Sequence, residues 1–333
     1  MGPLIPYINV PELELSFLAH IPLVERLVDA SHPPSIKPFG TLVAFGVYLG
    51  SIVAMRHGRE RGIDDKKLSE FIFFVIGLGF VGGHMLDAIF YHPDSLAKRP
   101  WYLFELWDGL SSYGGFTGAM LAALYWRWRR KEAVLPMVEV IYSAYPLAWV
   151  FGRMGCASVH DHPGHLSNAW LAVRWSAGLH EHWQSALFGL RWSPTAPPPL
   201  PPGFEGRFDL GFIEMVLAIP LALAFLVLWR RKPVRPIGFY TGWMCAAYAP
   251  VRFGLDFLRE PDASGGDIRY GGLTPAQWAC FGLLAMGVWF IRRAARGDGP
   301  ATADTAGEPP PTSGEPTEPD VPSTPPTEAP PTA

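Results

Sequence analysis

Long apolar runs, broken at intervals by clusters of arginine and lysine, set the pattern of this chain. A helix needs about 17–25 predominantly apolar residues to cross a bilayer. Runs of that kind fall at 39–55, 68–90, 112–128, 134–156, 210–229, 237–258 and 274–291. The second and fourth contain glycines and a charged or polar group. The pattern predicts an all-α integral membrane protein with about seven transmembrane helices.

The connections give a direction. Arg56-His-Gly-Arg-Glu-Arg61 with Lys66 and Lys67 follows the first run, and Arg127-Trp-Arg-Arg-Lys131 follows the third. Arg230-Arg-Lys232 with Arg235 follows the fifth, and Arg292, Arg293 and Arg296 follow the seventh. Every second connection is basic, and basic connections stay in the cytoplasm. The N-terminus is therefore expected outside and the C-terminus inside. Residues 1–36 form an external segment, 37–296 the membrane domain, and 157–207 an external insertion within it. The first 35 residues lack the basic start of a signal peptide. Residues 297–333 are Pro, Thr, Glu, Ala and Ser with almost no large apolar side chain, the composition of a disordered cytoplasmic tail.

Composition agrees. Of 333 residues, 49% are apolar and only 17% charged, against roughly 25% charged in soluble domains. A net charge of −3 offers nothing to nucleic acid. The three cysteines, Cys156, Cys245 and Cys280, are far apart and read as small buried hydrophobes. The glycines of Tyr113-Gly-Gly-Phe-Thr-Gly118 lack the Lys-Ser/Thr of a P-loop.

Several ionisable residues lie where lipid should be. A charge at the bilayer centre costs about 2.5–3.5 kcal/mol even on the mildest scale, so each is a functional candidate. Arg153 lies late in the fourth run between Gly152 and Gly155. Tyr248, Arg252 and Asp256 are spaced i, i+4, i+8 and share one helical face. Glu214 opens the fifth run, and Glu139, near the start of the fourth, reads as structural. Tyr113, Arg153, Glu214, Arg252 and Asp256 all fall toward the outer side and are candidates to line one polar cavity. Two arginines there suit a phosphate, because the guanidinium fork pairs with two phosphate oxygens. The competing reading of Arg252 and Asp256 is an ion pair that only neutralises itself. His160-Asp-His-Pro-Gly-His165 is dense enough for a metal but matches no zinc spacing; it reads first as a loop bordering the cavity, with His180 and His182 the nearest additions.

Four segments in order carry a resemblance to the prolipoprotein diacylglyceryl transferase family over residues 36–293. Trp107-Asp-Gly-Leu-Ser-Ser-Tyr-Gly-Gly-Phe-Thr-Gly118 resembles its W-D-G-G-x-S-x-H-G-G-x-x-G segment. Gly152-Arg-Met-Gly155 resembles the start of G-R-x-G-N-F-x-N-G-E. Tyr248-Ala-Pro-Val-Arg-Phe-Gly-Leu-Asp-Phe-Leu-Arg-Glu-Pro-Asp262 resembles Y-x-x-x-R-x-x-x-E-F-F-R-x-P-D, and Leu273-Thr-Pro-Ala-Gln277 resembles L-S-x-G-Q. The chain departs from the family at named positions. The family His is Tyr113, the two signature asparagines are Cys156 and Val159, the signature acid falls on Asp161, and the cavity Glu is Asp256.

The resemblance implies a bacterial inner-membrane enzyme without cofactor or metal. Its substrates would be phosphatidylglycerol, taken from the membrane lipid, and a prolipoprotein signal peptide ending in a lipobox cysteine. The thiol attacks the glycerol carbon bearing the phosphate ester, a thioether forms, and glycerol-1-phosphate leaves. It implies Tyr113, Arg153, Arg252 and Asp256 as catalytic candidates. Arg153, Arg252, Gly114, Gly115, Ser112, Tyr248, Asp161 and Glu214 would bind substrate. Gly114 and Gly115 would let backbone amides at a helix N-terminus approach the phosphate. The alternative is a divergent member that binds lipid or serves as an accessory protein without transfer chemistry.

Overall fold

The computed structural model describes residues 2–8, 10, 12–15, 17, 35–90, 92–105, 109–175, 190–193, 199–260 and 269–297, with backbone only at 112, 113 and 190–193. The tail beyond 297 and the segment holding His180 and His182 lie outside the described residues. Among the described residues the helices are α1 (Pro38–Glu60), α2 (Asp65–Phe90), α3 (Pro93–Lys98), α4 (Ser112–Arg130), α5 (Leu135–Val159), α6 (Leu210–Arg230), α7 (Phe239–Leu255) and α8 (Pro275–Ala295).

Every predicted run becomes a helix; α3 is a short extra one. Five of them, α1, α2, α5, α6 and α8, are long and apolar enough to cross a membrane. The chain is an integral membrane protein, and seven is an approximate count of its spans. The two helices that fall short have visible reasons. α4 ends in Arg127, Arg129 and Arg130, and α7 has 17 residues, about 25 Å at 1.5 Å per residue. α7 starts two residues later than the apolar run because Gly238 holds φ at 101°, which no helical residue adopts.

The helices pack in pairs: α1 on α5, α2 on α4, α5 on α6 and α7 on α8. The α2–α4 contact explains the glycine pair of α4. A Cβ on Gly82 would stand 2.7 Å from the Gly114 carbonyl oxygen and 2.9 Å from the Gly118 Cα. Small residues let two backbones touch where lipid gives no hydrophobic drive to associate. The Gly115 amide donates to Ser111 O at 2.9 Å.

At the start of α5, Glu139 is fully buried. Its carboxylate accepts from Tyr240 N at 2.7 Å, Thr241 N at 3.0 Å and Thr241 Oγ1 at 2.6 Å. The two amides are first-turn donors of α7, which no intrahelical bond can satisfy. Glu139 is thus a helix cap supplied by a neighbouring helix.

The segments expected outside the membrane are not featureless loops. A four-stranded sheet orders β1 (Ile5–Pro6), β5 (Val173–Arg174), β7 (Gly206–Asp209) and β4 (Pro163–Leu166). A three-stranded sheet orders β3 (Ser35–Ile36), β2 (Glu12–Leu15) and β6 (Leu190–Ser193). In both, the N-terminal segment pairs with the 157–207 insertion, with Ile5 opposite Val173 and Leu13 opposite Trp192. Tyr7 strengthens the junction by stacking on His160, ring centroids 3.9 Å apart. Burial, and then the Asp209 carboxylate, raise the Tyr7 phenol above its usual pKa.

Candidate active site

Two helical faces and one turn build the site. On α5, Tyr145, Trp149 and Arg153 follow each other at i, i+4, i+8. Tyr145 stacks on Trp149 at 5.4 Å, and the Arg153 guanidinium lies 4.5 Å above the Trp149 ring. On α7 and the 3-10 turn after it, Tyr248, Arg252 and Asp256 share a face as predicted. Tyr248 meets the edge of Trp149 at 5.7 Å and interacts with Arg153, Arg252 and Glu214. The two arginine-bearing faces therefore meet where Tyr248 packs on Trp149.

Each arginine is held by a buried carboxylate. Glu214 Oε1 lies 3.1 Å from Arg153 Nε and accepts from Trp149 Nε1 at 3.1 Å. Asp256 Oδ1 lies 3.0 Å from Arg252 Nη2. Its other oxygen accepts from Thr274 Oγ1. Thr274 is the N-cap of α8 and forms a reciprocal capping box with Gln277. Gln277 Nε2 donates in turn to Phe253 O at 3.2 Å. Asp256 is thus fixed from behind by the start of α8.

Neither ion pair is closed by a well-aligned hydrogen bond: Arg153 Nε and Asp256 Oδ1 are buried without one. A guanidinium has five N–H donors, and these contacts leave most of them available. The arrangement keeps two cations charged in an apolar setting and leaves donors of the Arg252 fork for an anion, while Arg153 Nη1 also approaches the turn after α5.

The turn after α5 completes the site. Arg153 Nη1 points at Cys156 Sγ, 3.8 Å away, and at His162 Nε2, 3.4 Å away. His162 Nδ1 lies 2.5 Å from Asp161 Oδ1. His160 turns elsewhere, with Nδ1 2.5 Å from Asp209 Oδ2 and Nε2 3.1 Å from Ile8 O. The histidines of the loop therefore serve two separate carboxylates. Cys156, Asp161 and His162 bring their ligand atoms within 4.8 Å of one another, the one such group among the described residues. A fixed cation, Arg153, already abuts two of the three.

Of the residues singled out from sequence, Arg153, Glu214, Tyr248, Arg252 and Asp256 come together, and Asp161 joins them through His162. Gly114 and Gly115 lie on α4, which packs chiefly on α2. The side chains of Ser112 and Tyr113 lie outside the described residues. Tyr145, Trp149 and Thr274 carry no assignment from the sequence, and His162 enters there only within the histidine loop bordering the cavity. The i, i+4, i+8 spacing that marks the α7 face also runs through Tyr145, Trp149 and Arg153, and applying it to α5 would have found the first two.

Comparison with known proteins gives one answer. The family model described as prolipoprotein diacylglyceryl transferase matches residues 27–293. A phosphatidylglycerol–prolipoprotein diacylglyceryl transferase of Pseudomonas entomophila is 27% identical over 275 residues, covering 81% of this chain and 93% of the relative. Relatives of the same name from Pseudomonas putida, 28% identical over 277 residues with 81% and 94% covered, and from Nitratidesulfovibrio vulgaris, 26% identical over 286 residues with 84% and 98% covered, also align. The chain belongs to the prolipoprotein diacylglyceryl transferase family.

Proposed function

We propose that this protein transfers the diacylglyceryl group of phosphatidylglycerol to the lipobox cysteine thiol of a prolipoprotein. The observation that carries this reading is the arginine pair: Arg153 of α5 and Arg252 of α7 stand on helix faces that meet where Trp149 packs on Tyr248, each tethered by a buried carboxylate. The phosphate of the lipid sits between the two guanidinium forks. The thiolate attacks the glycerol carbon, and the C–O bond breaks toward the phosphate. The leaving group gains a second negative charge at that moment. Arginines held in a poorly solvated site stabilise that charge best when it forms. Glu214 and Asp256 position the arginines, and Tyr248 lies where their helix faces meet. The transferase reading assigns Ser112, Tyr113 and the first-turn amide of Gly114 on α4 to the head group as well. The Gly115 amide, bonded to Ser111 O, is not free for the phosphate, which corrects the expectation drawn for it from the sequence.

The same reading sets the orientation. The external N-terminal segment and the insertion lie on the periplasmic side with the arginine pair, and the tail lies in the cytoplasm. Cysteines placed at Ser193 and Ser313 should then label from opposite sides, with Ser193 outside; labelling from one side refutes this topology.

The activity test is direct. The full-length protein in vesicles of phosphatidylglycerol is given a lipobox peptide, and the thioether product is followed by mass. Product, and restored lipoprotein lipidation in cells depleted of their own enzyme, are expected. Lipid binding without product in either assay would leave a lipid-binding member of the family and overturn the transferase reading.

A further inference from the structure

We infer that His162, oriented by Asp161, is the general base that takes the proton of the acceptor cysteine. The inference rests on the transferase reading and adds to it the group that makes the nucleophile.

A thiol must lose its proton to attack, because the thiolate is the nucleophile. A base therefore has to stand beside the arginine pair and within reach of the incoming peptide. His162 meets both conditions. Its Nε2 is 3.4 Å from Arg153 Nη1, and its side chain is 36% exposed.

The partners of the ring fix its state. Asp161 Oδ1, 2.5 Å from Nδ1, is a carboxylate oxygen that accepts only. Arg153 Nη1 is a donor only. Nδ1 therefore carries the hydrogen, and Nε2 presents a lone pair toward the arginine site. A base oriented by a carboxylate on its far nitrogen is the arrangement nucleophilic catalysis uses elsewhere. The backbone holds the ring in place, since His162 O accepts from Leu210 N at 3.0 Å at the start of α6.

The neighbours do not supply a better base. Both nitrogens of His160 are engaged, by Asp209 and by Ile8 O, and its side chain is 7% exposed. Cys156 is buried. Were its own sulfur to attack the lipid, the thioether formed would have no leaving group for a second transfer.

The step balances. The cysteine S–H proton passes to His162 Nε2. The sulfur electron pair forms the C–S bond, and the C–O pair leaves on the phosphate, which gains one negative charge. The imidazolium then returns its proton to the departing phosphate monoester, whose second pKa is about 6, or to water. When the lipid phosphate draws Arg153 to itself, Nε2 is freed at the moment it is needed. The charged and titratable groups facing the ring are Arg153 and Cys156 of α5 and Asp161 beside it, with Glu214 of α6 behind Arg153.

The test uses the full-length protein in phosphatidylglycerol vesicles with a lipobox peptide. His162→Gln should lower kcat about 100-fold or more, the usual contribution of a general base. It should also abolish the decline of kcat toward acid pH. Phosphatidylglycerol binding and melting temperature should match the parent protein, and imidazole should rescue His162→Gly. Asp161→Asn should lower kcat less, about 10-fold, and displace the acid limb. His165→Gln should behave as the parent. Wild-type kcat with an unchanged acid limb in His162→Gln overturns the inference and leaves the transferase reading intact. So does loss of the limb in Tyr113→Phe instead. Parallel loss of lipid binding in His162→Gln overturns it too, since the ring would then hold the head group. Absence of transfer by the parent protein overturns both readings.

Discussion

The two ends of α5 each bury acidic chemistry, and they use it in opposite ways. At the start, Glu139 accepts three donors, two amides and a hydroxyl of α7, and both oxygens are engaged. At the other end, Glu214 and Asp256 are as deeply buried. Their partners are arginines, approached at 3.1 Å and 3.0 Å with poor alignment. Burial alone therefore does not mark a functional charge in a membrane bundle. What separates the two ends is whether the buried group has finished its hydrogen bonding. A cap satisfies its partners completely; a binding site keeps donors in reserve.

The largest expected effect breaks the functional end. Arg153→Lys keeps the charge near Glu214 but loses the planar fork and the stack on Trp149. Transfer should fall about 100-fold or more, in line with the removal of a donor aimed at developing charge, while the melting temperature changes little. Binding of phosphatidylglycerol and peptide turnover, measured on Arg153→Lys and Arg252→Lys, check this. Arg153→Lys should be the more affected, because it has the contacts to α6 and to His162. If both variants bind lipid normally but melt early, the arginines are self-neutralising pairs, and the two ends of α5 do not differ.

The opposite change sharpens the structural end. Glu139→Gln replaces two accepting oxygens by one oxygen and a donor that faces other donors. It should cost about 1–3 kcal/mol, the penalty for leaving buried polar groups unpaired. Turnover per folded molecule should stay at the parent level. Thermal unfolding in detergent with a parallel transfer assay decides it. Loss of transfer at full stability would place Glu139 in the reaction.

Much of this was legible in the sequence. The seven apolar runs become helices because backbone in lipid must satisfy itself, which makes length and hydropathy strong signals. Arg153, Arg252 and Glu214 stood out because charge in such runs is costly. The sheets were invisible: strands of 2–4 residues pair segments that are far apart, as Ile5 with Val173, so no local alternation announces them. The bond from Trp149 to Glu214 joins residues 65 apart and leaves no trace in spacing. From the sequence, the glycine pair of α4 suggests backbone bared for a phosphate. Gly114 and Gly118 are also a small-xxx-small pair, and their match to Gly82 on α2 shows the close helix crossing they serve. His162 was hidden by its neighbours, since three histidines in six residues read together as a loop bordering the cavity and single out no one base.

The smallest expected effect lies where the two kinds of buried acid overlap. Thr274 caps α8 through Gln277 N at 3.2 Å and also donates to Asp256, the residue behind Arg252. Thr274→Val keeps the shape and removes the hydroxyl. Loss of an N-cap costs about 1 kcal/mol, so the melting temperature should drop modestly. Asp256 would also lose its anchor and gain freedom to pull Arg252 out of line. Transfer should fall several-fold, far less than in Arg153→Lys, with the loss in kcat and not in lipid binding. Thr274→Ser should restore both properties, because serine supplies the same oxygen. A stability loss with unchanged kcat would show that Asp256 holds its place without Thr274. That outcome would put this corner of the site with Glu139, as a cap alone.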